Sequence, residues 1–339
     1  MNEKDSIQGA SNMTTDLKGK DFITTQDWSV EELEEIFTLA AELKQAKRAG
    51  RPTPLLTAKT LYMIFFDAST RTRNSFETGM TQLGGHGIYL SPDKMQISHG
   101  ENARDTANVL SRYGDGIAIR HCAFREGSPY LREVAEHASV PVISMQDDVY
   151  HPCQILADYL TIRERFGETR GLKIGIAWTS APNYVRPLSV PQSLILMMPR
   201  FGLDVTLSVP PEFRLMPEVE EQAAANAAEA GVKFEISNRF EDAFTNADVV
   251  VPKSWGPLMH TTDRAEGLAL IEKYPSWRCG AEHMKLGKEH LIYMHPLPAD
   301  RGREVTDEVI DGPQSVVYDE AENRLHVQKA LMALTMGGA

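Results

Sequence analysis

The sequence predicts an α/β protein of two domains, each a doubly wound parallel sheet covered by helices, and three observations carry that expectation. Short apolar runs alternate with helix-patterned stretches, as consecutive βα units require. The alternation occurs twice, on either side of a long helical pattern at 151–167, although the sequence itself does not repeat. The 339 residues also exceed the length at which one hydrophobic core stops growing, about 250–300 residues.

Taken in order, the first fifteen or so residues are polar and read as a tail. The stretch WSVEELEEIFTLAAELKQAKRAG (28–50) spaces its apolar residues for one face of a helix that stops at Gly50. LYMIFF (61–66), GIYL (87–90), GIAIR (116–120) and VPVISM (140–145) read as strands, with helices near 69–84, 101–113 and 128–138. After the helix HPCQILADYLTIRERFG (151–167), strands recur at 173–178, 204–209, 233–237, 248–255 and 291–296, with helices near 189–201, 217–230 and 239–246. A last helix begins around Glu320 and runs toward Met336. The first domain is taken as 1–155 and the second as 156–319. SAPNYVRPLSVPQ (180–192) has three prolines between a strand and a helix, which makes an ordered loop at a strand's carboxyl end, where open α/β sheets bind ligands.

Composition limits the function. With 42% hydrophobic and 24% charged residues the chain suits a globular protein, so activity must come from local sites. A net charge of -12 argues against nucleic acid or an anionic membrane as the main partner. No apolar run has the length of a membrane span, and MNEKDSIQGASNMTT lacks the order of a signal peptide, so the expected location is cytoplasmic. Cys122, Cys153 and Cys279 show neither CxxC nor metal-ligand spacing, so no disulfide framework and no metal site are expected.

Chemistry-bearing residues cluster at strand ends. Ser69-Thr70-Arg71-Thr72-Arg73 follows a strand and opens a helix, so hydroxyls, guanidinium groups and the positive end of the helix dipole converge. That is a phosphate cradle, or else a capped helix start with solvent-exposed arginines. Arg71 and Arg73, two residues apart on a helix, cannot both face one ligand, so one of them is structural. Neither GxxxxGK[ST] nor GxGxxG is present, which disfavours nucleotides. Arg120 closes GIAIR, and His151-Pro152-Cys153-Gln154 opens the long helix. An imidazole at a helix start stays neutral and can donate to a carbonyl; a helix cap or a satisfied core histidine is the competing reading. No partner in the sequence activates Cys153, which reads as packing. KSWGPL (253–258) and MHPLPADRG (294–302) also end strands, and DEAENRLHVQKAL (319–331) sets Arg324 in a helix with an acidic start.

Together, STRTR, HPCQ, HPLP and DEAENRLHVQK resemble the aspartate and ornithine carbamoyltransferases, from about residue 20 to the end. The resemblance implies a carbamoyl-phosphate domain, an amine-substrate domain and a last helix, 320–339, that returns to the first. It implies a homotrimer, or a multiple of trimers, with active sites between subunits and with no metal or organic cofactor. Ser69, Thr70, Arg71 and Thr72 would hold the phosphate; Arg120, His151 and Gln154 would hold the carbamoyl group, and Arg324 would join them. Thr72, Arg120 and His151 would be the catalytic donors. SPDKMQISHGE (91–101) resembles a loop given to a neighbouring subunit, with Lys94 and Gln96 as its contacts.

Two departures from the ornithine enzymes and one from the aspartate enzymes concern the acceptor. Pro296 stands where ornithine enzymes have the Cys of HCLP, and KSWGPLM replaces their Asp and SMG loop; ADRG after Pro298 departs from the aspartate enzymes. KSWGPL and SAPNYVRPLSVPQ resemble the knotted branch, with its N-acetylornithine and N-succinylornithine enzymes, which implies a trefoil knot within about 175–300. On that reading Trp255, Asn183, Tyr184, Lys253 and the carbonyl of Leu297 meet the amine. The expected activity is transfer of the carbamoyl group of carbamoyl phosphate to an ornithine-like or other amine, with release of phosphate. The alternative is a homologue that binds carbamoyl phosphate without turnover, and the sequence leaves the amine open.

Overall fold

A computed structural model of the chain describes residues 16–182 and 186–337. The chain divides into two units, Met1–Ala157 with Glu322–Ala339, and Asp158–Ala321.

In the first unit, α1 (Val30–Arg48) starts at a capping box. The Ser29 hydroxyl accepts from the Glu32 N–H at 3.1 Å, and the Glu32 carboxylate accepts from the Ser29 N–H at 2.7 Å. Leu33, Ile36, Phe37, Ala40 and Leu43 are buried, and Gly50, at φ 66°, lets the chain turn away. Four strands follow, β1 (Thr60–Phe65), β2 (His86–Leu90), β3 (Gly116–His121) and β4 (Val142–Asp147), all parallel in the order β2-β1-β3-β4. Because parallel neighbours need long crossovers, each gap holds a helix: α2 (Thr70–Gln82), α3 (Ala103–Tyr113) and α4 (Gly127–His137). Ile64, Ile117, Ile119, Val142, Ala107, Leu131 and Val134 form one apolar core between sheet and helices. Burial of each large aliphatic side chain is worth about 1.5–3 kcal/mol. After β4, α5 (Pro152–Phe166) carries the chain across the Ala157 boundary.

The second unit holds β5 (Lys173–Trp178), β6 (Asp204–Ser208), β7 (Phe234–Ser237), β8 (Val249–Lys253) and β9 (Ile292–Tyr293), parallel in the order β7-β6-β5-β8-β9. α6 (Ser189–Met197) is buried on every side, which its run SVPQSLILM allows. α7 (Pro217–Ala230), α8 (Arg264–Ile271) and two single-turn helices, α9 (Ala281–Met284) and α10 (Asp307–Ile310), fill the remaining connections.

The last helix, α11 (Val317–Thr335), has its residues from Glu322 onward in the first unit. There Lys44 donates to Asn323 at 2.7 Å, and the Lys329 ammonium donates to Gln82 at 3.0 Å and to Thr53 at 3.4 Å. Gly79 of α2 permits this approach, since a Cβ there would stand 2.8 Å from Met332 Cε and 3.3 Å from Lys329 Cγ.

Element boundaries depart from expectation where tertiary contacts outweigh pattern. The expected helix at 239–246 is a single 3₁₀ turn, Phe240–Ala243. Asp242 accepts from the Ser237 hydroxyl at 2.6 Å, and Asn246, at φ 54°, reverses the chain before a second helical turn forms. α11 starts at Val317, ahead of Glu320, and the expected strand 291–296 shortens to two residues. The His295 N–H is taken by the Glu320 carboxylate at 2.9 Å, and Pro296 after it has no N–H with which to resume the ladder. Helices α8, α9 and α10 lie where no element is expected: α9 and α10 are single turns, and the eight residues of α8, RAEGLALI, run their apolar side chains together at one end and do not space them along one face. Among the described residues no helix is long and apolar enough to cross a membrane.

Candidate active site

In the first unit the expected groups meet at the carboxyl edge of β1, β3 and β4. Ser69 caps α2, its hydroxyl accepting from the Thr72 N–H at 3.3 Å, so Thr70, Arg71 and Thr72 form the first helical turn. That turn contains no acidic residue, so nothing on it offsets the positive helix end. Thr70 is exposed, Arg71 half-buried and Thr72 buried. Arg73 is spent elsewhere: its Nε donates to Glu77 at 2.9 Å, and its guanidinium lies 3.9 Å from the Tyr89 ring centroid. It is the structural arginine of the pair.

Register brings the next groups alongside. Arg120 lies opposite Phe65 on β1 and opposite Gln146 on β4, and its guanidinium donates to the Gln146 side chain. Asp147, fully buried, accepts from the N–H groups of Val149 and Tyr150 at 2.8 and 2.6 Å and fixes the bend that delivers His151. Burial pushes its carboxyl up to about 7 against those bonds. The His151 carbonyl accepts from the N–H groups of Gln154 and Ile155 at 3.0 and 3.3 Å, so the histidine sits at the start of α5. Cys153 is buried, donates its thiol to the Ser144 carbonyl at 3.3 Å and is pushed up to about 12 by burial, which suits packing.

Arg324, on α11, closes the set. Its Nη1 donates to Gln154 Oε1 at 2.5 Å and its Nη2 to Thr72 Oγ1 at 3.0 Å, so one buried guanidinium spans the starts of α2 and α5. Gln328, one turn on, sets its amide between Arg324 and the Ser75 hydroxyl; with the amide oxygen turned toward the guanidinium it accepts from Nη2 and Nε at 3.0 and 3.1 Å. Gln146 and Gln328 were not legible beforehand, because a glutamine whose partner lies far along the chain leaves no local pattern. Lys94 and Gln96 lie on two 3₁₀ turns after β2, with the Lys94 side chain 82% exposed and paired with Asp93 at 3.6 Å.

The second unit gathers a charged cluster at the carboxyl ends of β5, β8 and β9. Glu304 is fully buried and accepts from the Ser254 N–H at 2.7 Å, the Asp300 N–H at 2.7 Å and Arg186 Nη1 at 3.0 Å. Lys253 Nζ stands 3.9 Å and His295 Nε2 3.3 Å from its Oε1. Burial alone would raise its carboxyl, but Lys253, His295 and Arg186 outweigh burial and hold it far below the usual carboxylate range. Arg186 also donates to the Ser254 hydroxyl at 2.8 Å and to Asp300 at 2.5 Å. Nothing in DRGRE marks Glu304 as buried; a charged run reads as surface.

Of the residues expected on the amine side, Lys253 belongs to this cluster, and Leu297 is half-buried before a cis bond to Pro298. Trp255 is 1% exposed, and its indole N–H is already donated to the Phe213 carbonyl at 2.7 Å. Asn183 and Tyr184 lie outside the described residues. Among the described residues no group of three or more His, Cys, Asp or Glu could hold a metal ion.

Comparison with known proteins agrees along the chain. Residues 20–164 match the family described as aspartate/ornithine carbamoyltransferase, carbamoyl-P binding domain, and residues 184–335 match its Asp/Orn binding domain. An ornithine carbamoyltransferase of Halalkalibacterium halodurans is 42% identical over 322 residues, which cover 95% of this chain and 97% of that protein. One from Thermococcus kodakarensis is 42% identical over 96% of this chain and 99% of its own. Among solved structures, ornithine carbamoyltransferase from Pyrococcus furiosus superposes with a TM-score of 0.87 at 39% identity, covering 96% of this chain and 99% of that one. An acetylornithine transcarbamylase in complex with acetylcitrulline gives 0.86 at 36% identity, over 93% and 98% of the two chains.

Proposed function

The chain belongs to the aspartate/ornithine carbamoyltransferase family and is a carbamoyltransferase, and from that premise we propose that it moves the carbamoyl group of carbamoyl phosphate to the amino group of an ornithine-like amine. The amine lone pair attacks the carbamoyl carbon, the bond from that carbon to the phosphate oxygen breaks, and a proton from the amine leaves with the phosphate.

Ser69, Thr70, Arg71 and Thr72 hold the phosphate, whose charge suits a helix start without acidic residues. Arg120, His151 and Gln154 hold the carbamoyl group. As the amine attacks, negative charge grows on the carbamoyl oxygen, where Thr72, Arg120 and His151 donate; one such donor is worth about 2.7–4 kcal/mol. The observation that carries this assignment is Arg324, which bonds Thr72 of the phosphate set and Gln154 of the carbamoyl set with one guanidinium.

For the amine, the reading assigns Lys253, the carbonyl of Leu297, and Asn183 and Tyr184, which lie outside the described residues. Trp255 supports the wall from within, since the one N–H of its side chain is already donated to the Phe213 carbonyl. Each sheet is read as doubly wound, which the reversal of strand order at β1 and at β5 supports. A trefoil knot within about 175–300 is proposed from the likeness of KSWGPL and SAPNYVRPLSVPQ to the knotted branch. A crystal structure in which 180–192 is not threaded by the later chain would remove the knot. The active assembly is read as a homotrimer in which Lys94 and Gln96 serve a neighbour.

The deciding experiment measures phosphate release from carbamoyl phosphate, above its spontaneous decay, with ornithine, N-acetyl- and N-succinylornithine, aspartate, putrescine and diaminopropionate, and mass detection of the ureido product. A ureido product identifies the acceptor. No product with any amine, from folded protein that still binds a carbamoyl-phosphate analogue, would overturn the ornithine-like assignment.

A further inference from the structure

At the carboxyl edge of the first sheet, the loop that leaves Arg120 and the loop that leads to His151 meet at one buried side chain, Asp148. We infer that Asp148 is a positioning residue of the carbamoyl site: its carboxylate clips the loop after β3 to the loop before α5 and so fixes the Arg120 and His151 donors relative to each other. The inference rests on the carbamoyl-transfer reading above.

β3 ends at His121 and β4 at Asp147, a facing pair, and beyond them the two chains part. Asp148 rejoins them. Its Oδ2 accepts from the Arg125 N–H at 2.7 Å and its Oδ1 from the Ser128 N–H at 2.8 Å. Three features of the loop after β3 depend on this carboxylate. Ser128 lies in the first turn of α4, whose own N-cap, Glu126, makes no side-chain cap bond, so Asp148 supplies the acceptor from another segment. Arg125 is held at φ 65°, a left-handed backbone that residues other than glycine adopt at a cost, and its N–H is the one Asp148 takes. A Cβ on Gly127 would stand 1.9 Å from the His121 carbonyl oxygen and 3.0 Å from Asp148 Oδ1, so the loop turns back hard against the strand end. Nearer Arg120, the Cys122 N–H donates to Asp67 at 2.7 Å, which holds the start of the same loop. On the other side, the bonds from Val149 and Tyr150 to Asp147 hold the stretch that runs from Asp148 to His151. Both donors therefore stand on segments that backbone bonds tie to the clip. A buried carboxylate with two backbone donors keeps one arrangement, because turning it strands an N–H.

The test compares wild type with Asp148→Asn, which keeps the shape but offers one acceptor oxygen where the carboxylate offers two. Two probes separate the two halves of the site: inorganic phosphate, which needs only the phosphate set on α2, and phosphonoacetamide, a phosphonate that also carries a carbamoyl-like amide. Expected in the variant is a dissociation constant for phosphonoacetamide raised about tenfold or more, with that for inorganic phosphate unchanged, together with faster hydrogen exchange in peptides covering 122–128. A role in folding alone would lower the melting temperature and leave the ratio of the two constants as in wild type. An unchanged ratio in folded Asp148→Asn, or unchanged exchange, therefore overturns the inference and leaves the carbamoyl-transfer reading standing. Wild type that binds neither probe fails that reading itself, and the inference falls with it. If Asp148→Asn does not fold, Ser128→Pro removes one of the two N–H groups and keeps the carboxylate, at a first-turn position where proline is tolerated. A raised ratio in that variant sustains the inference and an unchanged one overturns it.

Discussion

At the scale of single residues, position within the first turn of α2 separates two arginines that look alike in the sequence. Arg73 is held by Glu77 and stacked on Tyr89, while Arg71 lies on the turn that faces the carboxyl edge of the sheet. Replacing Arg71 with Ala is therefore expected to abolish turnover while leaving the melting temperature near that of wild type; normal phosphate release from that variant would refute the assignment. Buried charge gives a second prediction. Burial, with help from Lys47, pushes the Lys329 ammonium down to about 8 from an ordinary 10.5. Between those values the unfolded chain binds the extra proton, so stability rises with pH across that window, and below 8 the cost of the buried charge is fully present. The melting temperature of wild type minus that of Lys329→Met should increase from pH 7.5 to 10.5, and a difference that stays flat would remove the assignment.

At the scale of elements, close approach governs what the patterns could not. Gly175 lies in β5 where the turn Phe240–Ala243 crosses it, and a Cβ there would stand 1.7 Å from the Ala243 carbonyl oxygen. Backbone cannot yield as a side-chain tip can, so Gly175→Ala is expected to cost about 1–3 kcal/mol or more in urea unfolding. An unchanged midpoint would mean that the turn is free to move. The same crossing explains why 239–246 does not continue as a helix. Helices α1 to α7 were legible from apolar spacing, because each buries one face or is buried all round over two or more turns. The short α9 and α10 were not, since four residues carry no period.

At the scale of the whole molecule, the proposed trimer makes a prediction that one chain alone does not. Lys94 and Gln96 lie on turns after β2 that bury none of their residues. If they serve a neighbour, Arg71→Ala and Lys94→Ala proteins, each inactive, should recover part of the activity after being mixed, denatured and refolded together. Mixed assemblies then hold some sites with both intact groups. No recovery would assign Lys94 to its own chain. The sequence by itself determined two βα-alternating halves, the phosphate-suited start of α2, the start of α5 at His151 and the family, because those signals are local: periodicity names a buried face, and residue type marks a helix start. Tertiary structure alone decided which groups meet. Arg324 reaches Gln154 across 170 residues and Thr72 across 252, and Arg186 reaches Glu304 across 118. Contacts so distant follow from how sheets and helices pack, and no spacing in a linear chain encodes them.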